Sequence, residues 1–170
     1  GLYIGAPRDI YKALGQDWGL VALDPLALRR SGFRPFLQML RASLAWAGGV
    51  RIDHILGLHR IWVIPEGAPP TEGAYLHFPR EDLLRLVALE SARSRAVAIG
   101  EDLGTVPGGL REELARRRIL GMSVLWFEQE KGRFLPPAKW RKDSVAMTTT
   151  HDLPTVAGWW AGRDLDWRDR

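Results

Sequence analysis

Four short apolar runs separated by stretches of helical periodicity decide what this chain can become. The runs are residues 49–53, 97–100, 123–127 and 144–149, each with β-branched or large apolar residues and none long enough to make a helix. Between them, Leu37, Leu40 and Leu44 recur at helical spacing after Pro35, and "GG" at Gly48 closes that segment. Residues 80–93 put Leu83, Leu84, Val87 and Ala88 on one face, and Pro107 opens a segment with Leu110 and Leu114 one turn apart. A further helix is expected in "LPTVAGWW" after Asp152. Strand–helix alternation of this kind implies an α/β fold with a mainly parallel sheet. Two stretches fall outside it: residues 55–79, rich in Pro and Gly and read as one long loop, and "GAPRD" to "GQDWG" near the start. No repeat of solenoid length and no low-complexity tract interrupts the pattern.

In a parallel sheet every strand C-terminus points to one side, so the residues just past each run matter most. "VRID" ends in Asp53 with Arg51 before it and His54 after it; "AVAIGED" ends in Glu101 and Asp102; "SVAMTTTHD" ends in His151 and Asp152. Packing does not call for acids at one rim, because like charges repel and burial raises the cost. Retaining cleavage of a glycosidic bond does call for them. It needs a carboxylate nucleophile and a carboxylic acid about 5–5.5 Å apart on opposite faces of the sugar, and a nearby arginine keeps the nucleophile ionised. Each acid taken singly has a plainer reading: Asp152, ahead of "LP", as a helix cap; Glu101 and Asp102 as loop acids near a helix N-terminus; His54 as an ordinary hydrogen-bonded histidine. Three strands ending alike favour the joint reading.

Composition narrows the rest. The 170 residues are 46% apolar and 26% charged, a globular balance, and contain no cysteine, so disulfides, thiolate metal sites and a cysteine nucleophile are excluded. No apolar run approaches the roughly 18 residues of a membrane span and no basic-then-apolar leader is present, so no membrane partner and a cytoplasmic location are expected. The net charge of +4 raises nucleic acid as a partner, but Arg116, Arg117 and Arg118 suit a helix end and lack interleaved aromatics. No nucleic-acid partner is expected. No phosphate-binding glycine motif succeeds a strand and no histidines stand at ligand spacing, so neither a cofactor nor a metal is expected. The eight tryptophans suit either core packing or a carbohydrate surface.

"VRIDH", "IGEDLGTVP" and "TTTHDLPT", in this order and spacing, resemble the motifs of the amylomaltases, the 4-α-glucanotransferases of the α-amylase clan, most closely the bacterial maltodextrin-utilising branch. "GAPRD", "GQDWGL" and "IPEGAPPTEGAYLHFP" are similar to that family's acceptor-side loops, and the resemblance runs from Tyr3 to about Trp160. It implies Asp53 as nucleophile, Glu101 as acid/base and Asp152 as transition-state stabiliser. Arg51, His54 and His151 would hold sugar hydroxyls and orient the nucleophile; Gln16, Trp18 and Tyr75 would contact the sugar. The implied fold is a (β/α)8 TIM barrel, these strands being its fourth to seventh. The implied activity is transfer of α-1,4-glucan segments between maltodextrins, in starch and glycogen chemistry, by double displacement. Two departures are Arg8, where the family often has proline, and Leu153, where it often has asparagine. A complete barrel takes about 250 residues, so residues 1–170 are expected to be an internal portion of one catalytic barrel domain, with no second domain evident and the missing strands supplied by a longer parent chain. Two other readings stay open: an α-amylase-like retaining hydrolase using the same carboxylates, and a sugar-binding fragment without catalysis.

Overall fold

The computed structural model describes residues 1–9 and 12–168, the last three by their backbone alone. Ile10 and Tyr11, within the stretch likened to an acceptor-side loop, lie outside the described residues. Along the chain run β1 (Leu2–Ala6), β2 (Gln16–Val21), α1 (Pro25–Arg30), α2 (Arg34–Leu44), β3 (Gly49–Ile52), β4 (Arg60–Pro65), β5 (Ala74–His77) and α3 (Arg80–Ser94). Next come β6 (Val97–Gly100), α4 (Leu110–Arg116), β7 (Ile119–Val124), the short β8 (Gln129–Glu130) and β9 (Arg133–Phe134), β10 (Ser144–Met147), α5 (Val156–Trp160) and α6 (Arg163–Arg168).

The four expected strands form one sheet in the order β3, β6, β7, β10, every pairing parallel. Neighbours in sequence are thus neighbours in space, as in an arc of a barrel, and all four strands end at one rim. The helices form where the apolar spacing puts them. On α2, Phe36, Leu40 and Leu44 are buried at four-residue intervals, while Leu37 sits half-buried beside them. α3 buries Leu83, Leu84 and Val87, carries Glu81 and Asp82 in its first turn and Arg93 in its last, and so complements its dipole at both ends. These faces meet Ile55, Leu56, Ala98, Leu110, Leu114 and Ile119 in one core beneath the sheet. Glu90 of α3 is buried too, but Arg41 of α2 grips it with a two-bonded fork (2.8 and 2.9 Å) that holds its carboxyl below the usual range despite burial.

Three expectations are corrected. The strand anticipated at residues 123–127 is β7, which begins at Ile119 and ends at Val124. The arginine run at 116–118 hid its start, and residues 125–127 form a turn in which Leu125 N–H still donates to Met147 O at 2.9 Å. Residues 55–79 are not one loop. They hold a 3₁₀ turn (Ile55–Leu58), then β4 and β5 as an antiparallel pair in which Trp62 faces Tyr75, with the Pro and Gly residues concentrated in the connection. "GQDWGL" is likewise strand rather than loop: β2 pairs with β1, and β1 with β4, giving a second, antiparallel sheet in the order β2, β1, β4, β5. The sequence pattern anticipated no second sheet. It stands at the strand-end side because β4 continues directly from the turn after Asp53. Among the described residues, no helix is long and apolar enough to cross a membrane.

Candidate active site

Arg51 and Asp53 lie two residues apart along an extended chain and so share one side of it. The Arg51 guanidinium reaches Asp53 Oδ1 at 2.6 Å, while the aspartate side chain stays open to solvent. The chain then reverses at His54, whose φ of +45° is uncommon for a residue with a Cβ and is the kind of strain that collects at functional sites. The reversal folds the 3₁₀ turn back over the end of β6. Gly100 makes this possible: a Cβ there would stand 2.8 Å from the Ile55 side chain.

That close approach fixes Glu101. Its N–H donates to Ile52 O at 2.9 Å and its carbonyl accepts from Ile55 N at 3.0 Å. Its carboxylate is held as well, Oε2 accepting from His54 N (2.9 Å) and Oε1 from Leu103 N (2.8 Å). Each oxygen has a second lone-pair site left for a ligand. Asp102, the next residue, turns the other way and is fully buried. Burial pushes its carboxyl up, but the Arg141 hydrogen bonds, the Met122 N–H and the Arg111 charge outweigh that and hold it below the usual range.

The third acid comes from the loop after β10. Thr149 Oγ1 donates to Pro154 O at 2.8 Å, closing a tight loop with His151 and Asp152 at its tip, 3.3 Å apart through Nε2 and Oδ2. The plainer reading of Asp152 as a helix cap does not apply. Thr155 caps α5, accepting from Gly158 N at 3.0 Å, and the Asp152 side chain is 77% exposed. The plainer reading of Glu101 and Asp102 as loop acids near a helix N-terminus fits Asp102, which pairs with Arg111 in the first turn of α4. The Glu101 carboxylate accepts from His54 N and Leu103 N instead.

β2 supplies the opposite wall, where Gln16, Trp18 and Leu20 alternate onto one face. The Trp18 indole N–H donates to Gln16 Oε1 at 3.2 Å, and its ring stands edge-on to His54 at 5.3 Å. Burial in this contact pushes His54 below the ordinary histidine range, and the nearby Glu101 and Asp53 charges offset it only in part.

These pieces enclose a cleft of about 690 Å³, lined by Gln16, Trp18, Arg51, Asp53, His54, Glu101, His151 and Asp152. Tyr75 is not among its walls. Its place opposite Trp62 in the β4–β5 ladder keeps its ring on that sheet, edge-on to Trp62 at 5.1 Å and beneath the Arg60 guanidinium at 4.3 Å. Sequence reasoning missed Phe127, Leu103, Lys12 and Leu20, which also line the cleft. An aromatic just past a strand end was the available signal for Phe127, lost when residue 127 was read as strand. Among the described residues, no three His, Asp or Glu side chains are grouped as metal ligands. Chemically, the cleft joins three carboxylates from different strand ends with an arginine on one of them and an aromatic wall, an arrangement able to attack and protonate a polyhydroxylated substrate.

The 4-alpha-glucanotransferase of Mycobacterium tuberculosis H37Rv is 45% identical over 174 residues, covering 99% of this chain and 24% of its own length. That of Haemophilus influenzae is 41% identical, with 96% of this chain and 23% of its own length covered. The crystal structure of amylomaltase from Corynebacterium glutamicum superposes with a TM-score of 0.92 at 39% identity, over 99% of this chain and 24% of that one. The chain therefore spans about a quarter of the length of the relatives it matches, and its four parallel strands are part of a (β/α)8 barrel. The family model described as 4-alpha-glucanotransferase, glycoside hydrolase 77, matches residues 1–170 without a break, and the chain belongs to that family.

Proposed function

We propose that the enzyme of which these residues form the central site is a 4-α-glucanotransferase moving α-1,4-glucan segments between maltodextrins, such as those of starch and glycogen, by a retaining double displacement. One observation carries this: Asp53, Glu101 and Asp152, from three different strand ends, line a single cleft beside an aromatic wall. Asp53 attacks the anomeric carbon while Glu101 protonates the departing glucan oxygen, giving a glycosyl ester on Asp53. Glu101, now a carboxylate, takes the proton from an incoming sugar hydroxyl, which displaces Asp53 and restores the α configuration. Asp152, with His151 beside it, stabilises the positive charge that develops on the sugar ring. Arg51, 2.6 Å from Asp53 Oδ1, aims the nucleophile. Gln16, Trp18 and His54 hold the sugar, and a sugar seated against Trp18 keeps water from the ester, so that transfer prevails over hydrolysis.

Disproportionation of maltotriose by the full-length enzyme tests the assignment. Asp53→Asn keeps the side-chain volume but cannot form the ester. It is expected to lower kcat by about 10³-fold or more, roughly 4 kcal/mol of transition-state stabilisation, with KM little changed. Near-normal turnover in that variant sinks the assignment.

A further inference from the structure

The acid beside Glu101 is held more heavily than its burial requires. After Ile99, paired with Leu120, β6 has no further partner on β7, and the next inward N–H of β7, that of Met122, donates instead to Asp102 Oδ1 at 2.8 Å. Arg141 grips the same carboxylate as a fork, Nη1 to Oδ2 at 2.6 Å and Nη2 to Oδ1 at 3.1 Å. Arg111 adds Nε to Oδ2 at 3.1 Å and Nη2 to the Asp102 carbonyl at 3.0 Å. The fork lies across β7 at Gly121, where a Cβ would fall onto the Arg141 guanidinium and within 2.7 Å of Asp102 Oδ2.

Stability alone does not account for two arginines on one buried carboxylate. Replacing buried ion pairs by apolar side chains of equal volume is often neutral or stabilising. What such a cluster does supply is fixed position. Arg141 stands just ahead of β10, and its carbonyl accepts from Ser144 Oγ at 2.6 Å, so the cluster joins the end of β6 to β7 and to the strand that leads into the His151–Asp152 loop.

Resting on the reading of Glu101 as acid/base, we propose that Asp102 is its positioning residue. The Asp102–Arg141–Arg111 cluster locks the peptide after Glu101 from the β7 side, as the turn after Asp53 locks Glu101 from the β3 side. Between the two, the Glu101 carboxyl is held at the distance and angle that proton delivery to the leaving oxygen needs. Asp102 itself touches no substrate.

The test separates proton delivery from everything else by the choice of donor. With α-maltotriosyl fluoride, Asp53 bonds to C1 as the C–F bond breaks, and fluoride leaves with the electron pair and needs no proton. Azide as acceptor then displaces Asp53 without a base. With maltotriose both steps need Glu101. In the full-length enzyme, Asp102→Asn is expected to lower kcat on maltotriose on the order of 10²-fold with KM little moved, while fluoride release in azide stays close to wild type. Equal losses on both donors mark a role in folding only and overturn the inference, as does no loss on either. Glu101→Gln run alongside tells the two readings apart. If it loses maltotriose and keeps the fluoride, Glu101 is the acid/base and Asp102 is judged on its own result; if it shows no such preference, Glu101 is misassigned and the inference falls with it. Should Asp102→Asn not accumulate folded, Arg141→Lys, which keeps the charge and loses the fork, is read by the same ratio and with the same outcomes.

Discussion

At the scale of single residues, position in the chain separates acids that look alike in the sequence. Glu101 and Asp102 are adjacent, yet one faces the cleft with backbone N–H groups on both oxygens and the other is sealed behind it by two arginines. His54 is the residue whose environment makes the clearest pH statement. Burial lowers its folded pKa below its unfolded value, so as pH falls below about 6.5 the unfolded chain binds the proton first. The associated stability is therefore full above the unfolded pKa and is lost as pH falls through the folded one. Thermal midpoints of the full-length enzyme and its His54→Gln variant, compared from about pH 7.5 to 5, are expected to diverge in that direction, the wild type losing more on acidification. Parallel curves, or a wild type that gains, contradict the burial account.

At the scale of elements, the helical faces and the parallel strands were readable because their periods are local and each buried face repeats it. Leu83, Leu84, Leu110 and Leu114 fell where the spacing put them. The antiparallel sheet was not readable for a physical reason. β1, β2, β4 and β5 are short, half exposed and interrupted by Pro and Gly, and pairing between distant segments makes them strands. Tyr75, read as part of a loop, stands on β5 opposite Trp62 for the same reason. Arg51, Asp53 and Glu101 were legible because strand ends need no partner to be located, whereas Lys12 and Phe127 reach the cleft only through loops. A contrast on α3 checks the burial pattern: Leu84, wholly buried, and Leu89, 43% exposed, lie five residues apart. In the full-length enzyme Leu84→Ala is expected to cost about 2–5 kcal/mol and Leu89→Ala within about 0.5 kcal/mol, read by urea denaturation. Equal costs contradict the assignment of the buried face.

At the scale of the whole molecule, the chain is an arc of barrel whose strand ends meet a small antiparallel sheet, and the cleft lies where the two come together. The arc brings the three carboxylates to one rim and the sheet adds the Gln16–Trp18 wall. Neither alone encloses the cleft. Capture of the glycosyl ester tests this division of labour most directly. The full-length Glu101→Gln variant is given α-maltotriosyl fluoride, which forms the ester without acid help, in the absence of azide, so that loss of the base slows its breakdown. After acid quench and proteolysis, mass spectrometry is expected to find one maltotriosyl group on the peptide containing Asp53. A glycosyl group on the peptide containing Glu101 or Asp152 instead, or none on any peptide while fluoride is still released, contradicts the assignment of Asp53 as the nucleophile.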